Sequence, residues 1–351
     1  MMRLDRSTIA AVVMLSLAAL TSSGVTAQGA APQPVPALNG VPVFQADPKW
    51  PILPQDWTWG QVIGIFADSR GHVWTANRSR ITEWDPQGKL VQSWDARGPD
   101  GNWSTIHGMF VDHNGFVWTN ARESNLTVKF TKVGRVVMTI GRYNETGGSN
   151  DTTLMGRPSE IWVDPADNEV FIADGYRNRR VIVFDGATGK YLRHWGAYGE
   201  KPDDAERFDP KTMVTGALPK QFSTPHGITG SKDGKIYVAD RRGNRIQVFD
   251  HQGKFLAEKI IAPKTLASGS AFVIVLSPDP QEQWLYLADG TNHKVWILRR
   301  ADLEVVGEFG HGGRQVGQML RPHGMSVDAQ GNLYVGEAST GRRVQKFTVS
   351  R

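Results

Sequence analysis

The sequence predicts an all-β fold, a six-bladed β-propeller. One pattern repeats six times, its strands are short and rich in Val, Ile, Trp, Tyr and Phe, and helical periodicity is nearly absent. Each copy leads from a small-residue turn into a short apolar strand and then an Asp-x-x-Gly-like hairpin. A second strand, often ending Ala-Asp, is followed by a polar turn, a third strand and a Gly-Lys turn. The clearest copy runs from His226 to Asp240 and continues through Asn244 to Asp250. Copies recur at intervals of roughly 45 to 65 residues, near the period of a four-stranded blade.

Along the chain, residues 1–27 read as a signal peptide. Arg3 and Arg6 precede the short apolar run Ile9–Leu20, and the small residues Val25 and Ala27 suit cleavage before Gln28. A periplasmic or secreted location is therefore expected, with no membrane attachment after cleavage. Residues 28–54, rich in Pro, Ala and Gln, read as a linker or edge segment, and residues 55–351 as the propeller. The six copies begin near Val62, His107, Ser159, His226, Phe272 and His323. Residues 197–222 form the longest insert, a loop on one face. The sixth copy holds only about three strands, so a segment between Val41 and Trp59 is expected to supply the fourth and close the ring, leaving no open edge.

Composition narrows the function classes. Of 351 residues, 40% are hydrophobic and 21% charged, which suits one large core and not a multi-span membrane protein. With no cysteine there is no disulfide, thiolate metal site or cysteine nucleophile. Forty basic against 35 acidic residues leave a small, dispersed positive charge, a poor footprint for nucleic acid, and a monomer is expected.

Aligning the copies on their first hairpin places Ile63, His107, Ser159, His226, Phe272 and His323 in one register. Histidine occupies it in the second, fourth and sixth blades, about 120° apart in a six-fold ring. Three imidazoles at the start of the innermost strands can therefore meet on the axis as an open zinc site with a free position. His72, His113, His194, His251, His293 and His311 fall in hairpins or rims and read as surface residues. At the end of the second strand, on the same face, stand Arg78, Arg122, Arg241, the run Asp174-Gly175-Tyr176 and Glu337-Ala338. Arginines beside a metal suit a carboxylate-bearing substrate, and a tyrosine among them can act as a base. Asp174, Asp240 and Asp289 read as structural hydrogen-bonding residues. Trp57, Trp59, Trp74 and Trp118 read as blade packing.

These segments carry a resemblance. Ile106-His107-Gly108, Asp174-Gly175-Tyr176-Arg177-Asn178, Pro225-His226-Gly227, Ala239-Asp240-Arg241 and Pro322-His323-Gly324, with Asn77-Arg78 as a weaker match, resemble the peptidyl-α-hydroxyglycine α-amidating lyases, which are NHL-type propellers. The resemblance implies that His107, His226 and His323 hold a catalytic Zn2+, that Tyr176 is the base, and that Arg78 and Arg241 bind or polarise the substrate, with Arg122 beside them. The implied reaction splits a C–N bond, giving an amide and glyoxylate. The sequence departs from the animal enzymes in three ways. Gly324 stands where they carry an Asp that helps hold a structural Ca2+, so the calcium does not carry over. Arg321 stands where they carry Met, so the floor of the site is expected to differ, and neither a partner monooxygenase domain nor the disulfides of the animal domain are expected.

Two other readings use the same residues. A non-catalytic NHL propeller would act as an extracytoplasmic binding or sensor module, without tight metal. A propeller lactonase would use Glu160 and Glu337 around calcium, and its chemistry would survive loss of His107.

Overall fold

A computed structural model of the chain describes residues 40–96, 105–206, 208–216 and 218–350. The expected signal peptide (residues 1–27) and residues 28–39 lie outside the described residues. The rest forms six antiparallel four-stranded sheets arranged as the blades of a propeller.

The first blade comprises, in simple meander order and numbered along the chain, β2 (Val62–Ala67), β3 (Val73–Asn77), β4 (Arg80–Trp84) and β5 (Leu90–Asp95). The next four blades begin with β6 (Ile106–Val111), β10 (Glu160–Val163), β14 (Pro225–Gly230) and β18 (Val273–Leu276) and repeat that order. The sixth has β22 (Pro322–Val327), β23 (Leu333–Glu337) and β24 (Val344–Ser350), and its outer strand is β1 (Val43–Asp47) from the other end of the chain. Val43 pairs with Ser350 and Asp47 with Lys346, so closure falls within the segment the sequence offered for it. The inner strands β2, β6, β10, β14, β18 and β22 touch in ring order, and β22 returns to β2.

Burial follows from the strand period of two: β3 and β7 (Val117–Ala121) are buried along nearly their whole length, whereas outer β5 alternates half-buried and exposed residues. The core lies between blades, where Trp74, Trp84 and Trp118 are fully buried. Each such side chain contributes roughly 2–3 kcal/mol by leaving water. Trp57, Trp59 and Trp84 form an aromatic cluster with ring centroids 5.2–5.4 Å apart.

Asp174 and Asp240, at the ends of their strands, hold the blades to their connecting loops. Each pairs at 3.0 Å with a fully buried arginine, Arg180 and Arg245 respectively. Each also accepts backbone amides, from Gly156 and from Thr224. Asp289 takes the Trp296 indole instead. Glu337 fills the equivalent place in the sixth blade, accepting from Leu320 N and Arg343 Nε. Its carboxylate is thus committed to loop and blade.

Candidate metal centre and substrate mouth

The inner strands carry a local irregularity that aims the register residues inward. In β14, Pro225 pairs with Asp240 and Gly227 with Ala239, which leaves His226 as the extra residue of a β-bulge. His323 is extra in β22 in the same way, and His107 with Gly108 sits in the bulge of β6. A bulge re-aims a side chain without ending the strand. The glycine that follows each histidine is a packing requirement. A Cβ at Gly227 would lie 2.8 Å from the Phe272 carbonyl oxygen, and one at Gly108 would overlap the Ser159 carbonyl oxygen.

Those same carbonyls fix the imidazoles. His107 Nδ1 donates to Ser159 O at 2.8 Å and His226 Nδ1 to Phe272 O at 2.7 Å. A carbonyl only accepts, so Nδ1 carries the hydrogen and Nε2 keeps its lone pair. The third imidazole, His323, is buried with Nδ1 unpartnered. The three rings form a near-equilateral triangle with centroid separations of 4.9, 4.9 and 4.8 Å. One ring nitrogen of each lies within 4.8 Å of the other two. Burial holds all three well below the usual imidazole range. For His107 and His226 the guanidiniums of Arg122 and Arg241, respectively, push the same way, and for His323 the neighbouring His107 does so next. Three neutral nitrogen donors, with lone pairs gathered at one point, fit a divalent cation of the zinc type.

Tyr176 closes the triangle from the mouth. Its hydroxyl lies 2.9 Å from His107 Nε2 and 3.0 Å from His226 Nε2, and it accepts from Arg241 Nη1 at 2.8 Å. The loop carrying it comes close to the fourth blade because Gly175 has no Cβ to strike the Pro225 carbonyl. Arg122 and Arg241 flank the phenol ring, their guanidinium carbons 4.5 and 4.9 Å from its centroid. Both leave Nε buried without a partner. Arg122 is also paired with Glu123, which binds Arg157 as well.

The structure thus gathers His107, His226, His323, Tyr176, Arg122 and Arg241. Arg78 is exposed, in a left-handed turn with φ 58°, and makes no hydrogen bond to the triad or Tyr176 among the described residues. Glu160 lines a separate cavity of about 400 Å3 further along the axis, with Met109, Trp162, Val273 and Met325. Burial pushes its carboxyl up to about 8, against the pull of the Ile161 and Met109 amides.

Two residues of the mouth were named in the sequence without a role in the site. Phe272, in the register but without ligand chemistry, packs against His226 and His323 at 5.5 and 5.4 Å between ring centroids. Arg321 lies over Phe272, 5.5 Å from its centroid. Its place two residues before His323 was the available signal. Among the rim histidines, His113 and His311 are exposed, whereas His72, His194, His251 and His293 are half-buried. His251 bridges to Asp164, and His293 accepts the Arg321 backbone amide.

Fold and site together define a six-bladed propeller with three histidines on its axis, and known proteins similar to the chain include NHL-repeat and amidating proteins. The sequence model of the NHL repeat matches residues 222–249. The chain is homologous, at low identity, to the amidating enzymes. It is 26% identical over 225 residues to peptidyl-glycine alpha-amidating monooxygenase B of Xenopus laevis, covering 61% of this chain and 23% of that one. It is 29% identical over 119 residues to the probable peptidyl-alpha-hydroxyglycine alpha-amidating lyase pgal-1 of Caenorhabditis elegans, covering 34% and 29%. NHL repeat-containing protein 3 of Homo sapiens matches at 25% over 87% of this chain and 84% of its own length. The match therefore spans less than a quarter of the Xenopus protein. Among solved structures, a streptogramin B lyase superposes with a TM-score of 0.58 at 14% identity, covering 88% of this chain and 98% of that one, a likeness of fold.

Proposed function

We propose that this protein is a metal-dependent lyase that cleaves the C–N bond of an α-hydroxyglycine-like amide to an amide and glyoxylate. The observation that carries the reading is the meeting of Tyr176 Oη with two imidazole Nε2 atoms and the Arg241 guanidinium at 2.8–3.0 Å. His107, His226 and His323 would hold the metal, which when bound supplies a Lewis acid for a substrate oxygen.

The chain's own residues account for the rest. Arg241 and Arg122 bind and orient the substrate carboxylate at the mouth. Tyr176, as phenolate, takes the proton from the carbinol hydroxyl, and Arg241 stabilises the phenolate oxygen by donating to it. The carbinol C–O becomes a C=O as the C–N electron pair leaves on nitrogen. The nitrogen then takes up a proton, and Tyr176 is positioned to return the one it accepted. Atoms balance without water or a redox partner.

The test is glyoxylate release from N-benzoyl-α-hydroxyglycine by the purified mature protein. Stoichiometric benzamide and glyoxylate support the reading, and absence of both with metal loaded refutes it. A second reading is a non-catalytic binding propeller, in line with the nearly full-length match to a protein named only for its NHL repeats; such a protein would be indifferent to chelator. Export to the periplasm or exterior belongs to the proposal, resting on the composition of residues 1–27.

A further inference from the structure

We propose that the groove between the fifth and sixth blades binds a second carboxylate of the substrate, anchored by Arg321. The proposal deepens the reading above, since it takes the triad side of the channel as the substrate mouth.

Arg321 is held in place by its backbone and its side chain. It adopts φ 57°, its amide donates to His293 Nδ1 at 3.0 Å, and its carbonyl accepts from Ala338 N at 3.0 Å. Its Nη2 donates to Ser268 Oγ at 2.9 Å, and the guanidinium lies over Phe272. Arg241 approaches the same ring, its guanidinium carbon 5.1 Å from the centroid. Phe272 in turn touches His323. Two guanidiniums therefore share one aromatic ring beside the metal centre.

Neither arginine forms an ion pair among the described residues, and Arg241 is only 8% exposed. Bringing two like charges together at a desolvated surface is unfavourable unless an anion joins them. The groove at Arg321, about 260 Å3, is lined by Ser268, Thr291, His293, Ser339 and Thr340, and no carboxylate lines it. The hydroxyls of Ser268, Ser339 and Thr340 around a planar guanidinium fork suit a carboxylate, while that of Thr291 donates to the Gly269 carbonyl. With Arg241 and Arg122 taking the carboxylate next to the reacting carbon, Arg321 would select substrates that carry another one in the acyl portion.

The test is calorimetric binding of succinate, glutarate and adipate against butyrate to the metal-loaded protein, in wild type, Arg321→Met and Arg321→Lys. At least one diacid should bind wild type about tenfold tighter than butyrate. Arg321→Met should lose that preference with metal content unchanged, and Arg321→Lys should keep part of it. Equal binding of diacids and butyrate by wild type, no diacid binding at all, or an undiminished preference in Arg321→Met would each overturn the proposal. If Arg321→Met fails to fold, Ser268→Ala, which removes the guanidinium's hydroxyl partner, should reduce the preference, and an unchanged one would count against the subsite. Glyoxylate release is read separately. A diacid preference without glyoxylate would leave the subsite standing and remove the reaction, and glyoxylate without the preference would do the reverse.

Discussion

His107 and Tyr176, from different blades, meet at 2.9 Å between Nε2 and the phenol oxygen, and His226 stands 3.0 Å from that same oxygen. The proposed base is thus set against the candidate metal ligands by the blade spacing itself. Replacing Tyr176 by Phe removes the oxygen and little volume. Turnover should fall at least 100-fold, as for loss of a general base, while metal content stays near wild type. An active Tyr176→Phe protein, measured by glyoxylate release, would remove the tyrosine from the mechanism.

Arg241 is buried, reaches the phenol oxygen and lies over Phe272. Arg241→Lys keeps the charge but loses the planar fork. We expect kcat/KM to fall about 10- to 100-fold with metal retained, because a lysine cannot serve phenol and carboxylate together. Steady-state kinetics of the variant check this, and wild-type values would show that the guanidinium is not engaged.

Gly108 lies against the neighbouring inner strand, where a Cβ would overlap the Ser159 carbonyl that anchors His107. Gly108→Ala should cost about 1–3 kcal/mol of stability, as overpacking does, and weaken metal binding by shifting His107. Thermal unfolding with and without added zinc reads both effects. An unperturbed melting temperature would mean that the strands part more easily than the packing indicates.

Glu160 predicts a pH effect. Its folded carboxyl titrates at about 8 against an ordinary value of 4.5, because burial disfavours the anion. Below the unfolded value both states are protonated and nothing is lost. As pH rises, the unfolded chain ionises first, so stability falls from about pH 4.5 up to about pH 8, by an amount on the order of 5 kcal/mol. Glu160→Gln should therefore stabilise the protein at pH 8 more than at pH 4.5, measured by denaturant titration. Equal effects at both pH values would contradict a protonated Glu160.

The blades and the triad register were legible because each histidine falls five residues before a hairpin Asp or Ser, and the repeat fixes both. The closing strand was legible because the sixth copy runs short. The bulges that turn His226 and His323 inward were not, since these inner strands are buried over most of their length and show no in/out alternation in which an extra residue would stand out. Arg78 shares a repeat position with Arg122 and Arg241, yet its left-handed turn leaves it exposed. Glu337 reads as a mouth residue in sequence, but its place is that of Asp174 and Asp240, where Arg343 and a backbone amide take its charge. A repeat gives position, and the local turn decides where the side chain goes.

The central claim is that His107, His226 and His323 are one metal centre. Elemental mass spectrometry of the purified protein, wild type beside His226→Ala, tests it most directly. The account predicts about one zinc-type divalent ion per chain in the wild type and its loss in the variant, with both proteins folded by circular dichroism. No metal in the wild type after incubation with excess zinc, or equal metal in both, would contradict it.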